Sequence, residues 1–347
     1  MASIEVHELR EDRPDLLEAL AVVREETDRE VNPDDPPAPV AELAGELFSS
    51  SAVVERRGWL ATLDGEPAGE LTVASEGSPE NRHLFDVEWL ATRPAMRRQG
   101  VADSLLRTAL AWAARDGRTS FVLWAPTIPD GSGAGYAQRC GLALAQVERC
   151  SRLRIADLDR GLIDRWLAEG RSRTDGYRLV QFVGPAPDEH LERVAAAHRA
   201  MEDMPTDDLE WTIPTMTPEK VRSRDEAWAQ AGWVYVSTLA VASDGATAGL
   251  SELGINTHRP ELASQGDTGV RAEHRGRGLG RWLKAENLRF ALEAEPRIRV
   301  VETYNAETNP WMLDINVAMG FRPHVGYEAF QGQVADALRV VEGVPVG

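Results

Sequence analysis

The sequence repeats itself once, at long range, and this repeat limits the possible folds more than any other feature. Asp64-Gly65 and Ala68-Gly69 recur as Asp244-Gly245 and Ala248-Gly249, an offset of 180. RRQGVA at 97–102 recurs as RGRGLG at 275–280, an offset of 178, and Gly141 recurs as Gly320 at 179. Solenoid repeats have periods of about 20–50 residues, so this is a different kind of repetition. Four landmarks in one order at a nearly constant offset indicate a tandem duplication of a whole domain. The 347 residues agree, set against about 150 per domain.

Both copies run through the same elements. A helical stretch (DLLEALAVVREET; DEHLERVAAAHRAM) leads into an acidic, proline-bearing loop (DREVNPDDPPAPV; EDMPTDDLEWTIP), then a helical segment and a strand. An Asp-Gly pair between strand-like runs predicts an antiparallel hairpin. Strand, Gly/Arg loop, long amphipathic helix and strand then predict a parallel crossover. The expected class is α/β in the mixed α+β sense, each copy a mixed, mainly antiparallel twisted sheet flanked by helices. Expected boundaries are 1–155 and 177–347, with the charged stretch 156–176 as linker.

Charge narrows the partners. A net charge of −18 argues against a nucleic acid held by its phosphates and is compatible with a small cationic molecule. The N-terminus carries charges from Glu5 onward and does not read as a signal peptide. No window is apolar enough to span a membrane. Cys140 and Cys150 are the only cysteines, and neither sits in a metal-ligand spacing. The expectation is a cytoplasmic monomer or homodimer with no metal, no membrane and no nucleic-acid partner.

The second copy's Gly/Arg loop has a definite chemistry. A glycine-rich turn entering a helix presents unpaired backbone N–H groups and the positive end of the helix dipole, which suits a phosphate. Gly276, Gly278 and Gly280 clear the way to the backbone, and Arg275 and Arg277 can add donors. The spacing is neither that of a P-loop, which needs a following lysine, nor GxGxxG, because Arg281 stands in the last place.

What remains, R-x-x-G-x-G/A between a strand and a long helix with a later G-F strand, resembles the GCN5-related N-acetyltransferase (GNAT) superfamily. The layout is similar to the mycothiol synthase group of actinobacterial tandem acetyltransferases. The resemblance implies two tandem GNAT domains and acetyl-CoA as acyl donor, its pyrophosphate on Arg275, Gly276, Arg277, Gly278, Leu279 and Gly280. It further implies a thioester polarised by backbone N–H groups near Thr268, Gly269 and Val270, and a pantetheine arm beside Asn305, Asn309, Met312 and Asn316. In the first copy the matching loop is Arg97, Arg98, Gly100 and Ala102, with Arg98 in place of Gly276 and Asp130 in place of Asn309. The second copy is therefore expected to be catalytic and the first a thinner version of it.

The family's proton-donating tyrosine is missing from both copies: its place holds Asn316 in one and Ala137 in the other, with Tyr136 one residue early. Tyr304 and Tyr327 are the alternatives. Glu252 and Asp267 lead as general bases acting through water, with Glu302 third. Asp203, Asp207, Asp208 and Trp211 in the acidic loop are expected to bound an ammonium-bearing acceptor. The expected activity is acetylation of a primary amine on a small molecule (amino sugar, antibiotic or related metabolite) in a ternary complex. A non-catalytic acyl-CoA sensor or scaffold and a protein lysine acetyltransferase are the alternatives.

Overall fold

A computed structural model of the chain describes residues 3–129, 131–173 and 176–343. It forms two compact units. Unit 1 takes the chain up to Glu148, Thr206–Thr212, and everything from Val325 on; unit 2 takes Arg149–Pro205 and Ile213–His324.

The chain builds β1 (Ile4–Glu8), α1 (Pro14–Asp28), α2 (Val40–Phe48), β2 (Val54–Leu63), β3 (Glu66–Glu76), β4 (Leu84–Thr92), α3 (Val101–Arg115), β5 (Ser120–Pro126), α4 (Ser132–Arg139) and β6 (Ala143–Arg154). It continues through α5 (Arg160–Arg173), β7 (Tyr177–Val183), α6 (Leu191–His198), α7 (Pro218–Gln230), β8 (Trp233–Ala242), β9 (Thr247–Asn256), β10 (Leu262–Val270), α8 (Leu279–Ala294), β11 (Val300–Ala306) and α9 (Pro310–Met319). The last elements are β12 (Arg322–Gln333) and α10 (Val334–Val341).

Within unit 1 the strands lie in the order β1-β2-β3-β4-β5-β12, and within unit 2 in the order β11-β10-β9-β8-β7. The predicted hairpins are present. Asp64 (φ 51°) and Gly65 (φ 86°) turn β2 into β3, and Gly245 (φ 89°) serves the matching turn between β8 and β9. Positive φ there matches the right-handed twist of the strands. Among the described strand pairings, β4–β5 and β10–β11 are parallel, because each is joined through a crossover helix, α3 or α8.

Each sheet is covered on both faces. In unit 1 Leu105, Leu106, Ala109 and Leu110 of α3, at helical spacing, are buried against β-strand side chains including Leu71, Phe85 and Phe121. α1 and α2 bury Leu16, Leu20, Leu43 and Leu47 with Leu60. In unit 2, α8 packs Leu279, Trp282 and Leu283 into one core, while α6 contributes Leu191 and Val194 to another.

Three sequence expectations change here. The stretch expected to be a linker is α5, whose Ile163, Trp166 and Leu167 are buried in the core of unit 2; Gly170 passes so close to Trp282 that a Cβ would lie 2.3 Å from the ring. Its many charges are the solvent face of an amphipathic helix. The boundaries 1–155 and 177–347 do not coincide with the units, because the copies have traded segments. β12 belongs to the second copy in sequence yet pairs with β5 from Tyr327↔Pro126 to Gln333↔Ser120, and α10 buries Val334, Ala337 and Val341 in the core of unit 1. Part of the second copy's acidic loop also belongs to unit 1.

Candidate functional site

In both units the parallel strands run together and then part. β4 and β5 pair only over Leu84↔Ser120 to Val87↔Leu123, and β10 and β11 only over Leu262↔Val300 to Gln265↔Thr303. Beyond those points, among the described residues, β4 pairs only with β3, and β10 only with β9, leaving one backbone edge of each turned to the gap. A bulge marks each divergence. Val87 and Trp89 face Val73 and Thr72, so Glu88 is the extra residue; in β10, Gly266 and Asp267 lie between the pairs Gln265↔Leu253 and Thr268↔Ser251. A bulge re-aims the side chains it carries, here Glu88 and Asp267.

The Gly/Arg loops that follow have the same shape. Arg98 (φ 63°) and Gly100 (φ 89°) match Gly276 (φ 77°) and Gly278 (φ 83°), and Gly100 and Gly278 are the N-caps of α3 and α8. The backbone of the first loop keeps its left-handed turn in spite of the Arg98 side chain. Arg97 and Arg275 are latches more than free anion donors. Each donates Nε to the carbonyl that ends its strand, Thr92 O at 3.2 Å and Val270 O at 2.9 Å, and each pairs with an acid, Glu30 and Asp203. Arg277 donates to the Tyr177 hydroxyl at 2.8 Å, which contacts His274 Nδ1 at 2.9 Å. Around Gly276 and Gly278 the space above the backbone is open. Leu279 is buried and Gly280 lies in the first turn of α8.

The gap in unit 1 opens into a cleft of about 900 Å³. Its walls include Glu88, Trp89 and Thr92 from β4, Trp124 and Ala125 from β5, the loop residues Arg97, Arg98, Gly100, Val101 and Ala102, Tyr136 of α4, and Tyr327. Trp89 Nε1 and Thr92 Oγ1 are buried there without a hydrogen-bond partner, and a buried polar group left unpaired is costly unless a ligand meets it. Asp130 lies outside the described residues. Tyr327, one of the alternatives considered for the second copy, thus lines the first copy's cleft. Tyr136 donates its hydroxyl to Asp103 Oδ1 at 3.1 Å, and burial pushes its pKa up.

Asp86, two residues before the bulge, was not singled out by any motif. Burial, reinforced by Glu88 and Glu76, pushes its pKa up to about 7, and a hydrogen bond from the cleft residue Trp124 opposes the shift. The acidic-loop residues Asp207, Asp208 and Trp211 belong to unit 1, not to the second copy's acceptor side as expected. Trp211 donates its indole N–H to Glu76 Oε1 at 2.7 Å and packs with Leu209 beside Leu84, Val122 and Trp124. Thr212 and Asn81 exchange two hydrogen bonds, 2.9 and 2.7 Å, and Asp208 N donates to Ala145 O at 3.1 Å. Asp203 alone stays in unit 2, paired with Arg275.

In unit 2 the predicted bases converge on a residue that the motifs missed. His198, at the end of α6, lies 3.1 Å from Asp267 through Nδ1 and 3.6 Å from Glu252 through Nε2. Arg224 Nη1 is 2.7 Å from His198 Nε2, and Arg224 Nη2 donates to Glu252 at 3.3 Å. Arginine has no acceptor, so His198 Nε2 accepts from Arg224 while Nδ1 faces Asp267. Asp267 is accordingly held below the usual carboxylate range: burial alone would raise it, and His198 with Arg224 outweighs that. Glu252 is 3% exposed, too enclosed to meet an acceptor directly. His198, Glu252 and Asp267 are close enough to share a cation, but Arg224 already supplies one.

The remaining predicted residues are dispersed. Glu302 accepts from Arg152 at 3.1 Å and from Tyr304 at 3.3 Å, and Tyr304 is exposed. Asn309 caps α9 by accepting from Met312 N at 3.3 Å. Asn316 donates to Asn305 Oδ1 at 2.6 Å. Thr268 meets Ser251 at 3.0 Å, and the Cα of Gly269 is closely covered by Ala200.

Residues 20–142 match the model of the acetyltransferase (GNAT) family. A search of curated proteins finds no match. Among solved structures, a tandem GNAT protein from the clavulanic acid biosynthesis pathway is 25% identical, with 96% of this chain and 99% of that chain covered and a TM-score of 0.78. A GCN5-related N-acetyltransferase from Sphaerobacter thermophilus shares the fold at 16% identity, 95% and 96% coverage and a TM-score of 0.66. So does Saccharomyces cerevisiae N-myristoyltransferase with bound myristoyl-CoA, at 12% identity, 95% and 79% coverage and a TM-score of 0.56.

Proposed function

We propose that the chain is a tandem acetyltransferase of the GNAT type, in keeping with the family match of residues 20–142 and the tandem structural relative, and that it transfers an acetyl group from acetyl-CoA to a primary amine of a small molecule. The observation that carries this is the cleft of unit 1: a gap between parted parallel strands, under a left-handed Arg/Gly turn at a helix N-terminus, with Trp89 Nε1 and Thr92 Oγ1 buried and unpaired. Its volume suits an extended pantetheine arm, and Arg98 with the first N–H groups of α3 suits the pyrophosphate. When bound, acetyl-CoA supplies the activated acyl group.

The chain's own residues then have separable tasks. The free edge of β4 offers backbone N–H groups to a thioester oxygen. Asp86 titrates near neutrality, which suits a general base that relieves an incoming ammonium of a proton. Trp124 and Trp211, with Glu76, favour a cationic acceptor. The match of the family model to residues 20–142 also favours chemistry in unit 1. Unit 2 keeps the cradle and an anionic Asp267, and we infer that it binds the same donor. The sensor reading draws on a different observation, that Ala137 occupies the tyrosine's place and Tyr136 is engaged by Asp103.

Calorimetry with coenzyme A on Gly100→Glu and Gly278→Glu tests the assignment. Each change is expected to remove one of two sites together with the acceptor-dependent thiol release that belongs to it. Unaltered binding in both variants would show the cradle reading to be wrong, and undiminished turnover in Gly100→Glu would show that unit 1 is not a catalytic site.

A further inference from the structure

The duplication provides an internal control for every buried position. At an offset of 178 from Lys284 stands Leu106, and at 179 from Asn316 stands Ala137; both are fully buried and apolar. Unit 2 has replaced this apolar pair with a lysine and an asparagine that are 1% and 2% exposed. Lys284 Nζ donates to Asn316 Oδ1 at 2.5 Å and lies 3.8 Å from Met312 Sδ and 5.3 Å from the centre of the Phe321 ring. Asn316 in turn donates to Asn305 on the parted strand β11. No carboxylate pairs with the amine among the described residues. Burying an amine without an anion costs several kcal/mol, and an apolar alternative at this position exists in the same chain. Packing therefore does not account for the lysine.

The surroundings indicate what it is for. Lys284 sits in the second turn of α8, the helix whose N-terminus carries the cradle, and its side chain reaches to the residue that occupies the place of the family's tyrosine. Asn316 has no acidic proton to give there, but the lysine bonded to it does. We propose that Lys284 is the proton donor to the departing thiolate of coenzyme A in unit 2, replacing the absent tyrosine. This rests on the reading of the unit 2 cradle as a donor site.

In that step the acceptor nitrogen forms a bond to the acyl carbon and the carbon–sulfur bond breaks. The sulfur takes a proton from the Lys284 ammonium, the amine's surplus proton leaves through Asp267 to water, and Lys284 is reprotonated from solvent. Burial lowers the pKa of Lys284 to about 7, so the ammonium can give up its proton near neutral pH.

The chain has only two lysines, Lys220 and Lys284, so a protein labelled with carbon-13 at lysine Cε gives two resolvable signals, and Lys220→Arg assigns them. With coenzyme A bound, the Lys284 signal is expected to titrate about one unit higher than in the free protein, a roughly tenfold change in its protonation ratio. Desulfo-coenzyme A, which lacks the sulfur, is expected to bind without this shift. In the Lys284→Met protein the thiolate absorbance of bound coenzyme A should fall relative to wild type at the same pH, and Lys284→Arg, whose guanidinium keeps its proton, should restore the absorbance while thiol release in the Gly100→Glu background stays low. An identical response to the two ligands, or none while calorimetry shows Gly278-dependent binding, overturns the proposal. Absence of any Gly278-dependent binding refutes the underlying cradle reading instead, and the proposal with it.

Discussion

Phe330 of β12 stands directly opposite Leu123 of β5, two residues 207 positions apart in the chain but in adjacent strands. Both are buried in unit 1. Truncation after His324 would take away β12 and α10 together, exposing the β5 edge and the cavity left by Val334, Ala337 and Val341. The N-terminal half should unfold although no residue of it has been changed. Hydrogen exchange should show protection lost first in β4, β5 and α3; preferential loss in β8 to β10 would contradict the segment exchange.

Asp86→Asn separates stability from chemistry. The folded pKa is raised above the unfolded value of about 3.9, so the native state holds the proton more tightly and stability declines as pH rises from about 4 to about 7. The amide removes that decline. Its Tm should exceed that of wild type at pH 8 and approach it at pH 4, while kcat falls about 100-fold. A variant with unchanged kcat would exclude Asp86 as the base.

His198→Ala leaves Arg224 without one acceptor and Asp267 without its donor. A loss of about 2–3 kcal/mol in urea unfolding is expected. The Asp267 pKa, followed by carboxyl NMR, should move upward because the lowering contact is gone and burial remains. His198→Gln should recover part of the stability through its amide donor. Equal stability of all three proteins would show the network to be idle.

Arg98→Gly tests the strained turn. A non-glycine residue at φ 63° costs about 1 kcal/mol, so glycine should stabilise unit 1 by a similar amount while weakening coenzyme A binding there through loss of the guanidinium. Calorimetry and denaturation on the same variant should therefore move in opposite directions.

Much of this architecture could be read from local signals. Asp-Gly pairs specify hairpins through positive φ, and the arginine and glycine spacing marked both left-handed turns at the N-termini of α3 and α8. Arg98 adopts the left-handed turn without being glycine, next to the latch of Arg97 onto Thr92, so glycine content alone does not reveal that turn. Trp211 and its neighbours were assigned to the wrong unit because sequence order says nothing about exchanged segments. His198, Asp86 and Lys284 were missed for one reason: each matters through what folding brings beside it, respectively Arg224, Trp124 and Asn316. Of these, Lys284 had a visible cue, a lysine against Leu106 in the other copy.

The traded segments also bear on descent. A gene cut at the repeat boundary would encode one product lacking the strand that closes its sheet and another carrying an unmatched strand with no edge to join. Recombination could create the doubled chain from a single ancestor, but once the final strands had crossed over, fission into two working halves was no longer a single step. Copies bound in this way are inherited together, so either can drift in its chemistry, as Lys284 and Asn316 have, without being lost.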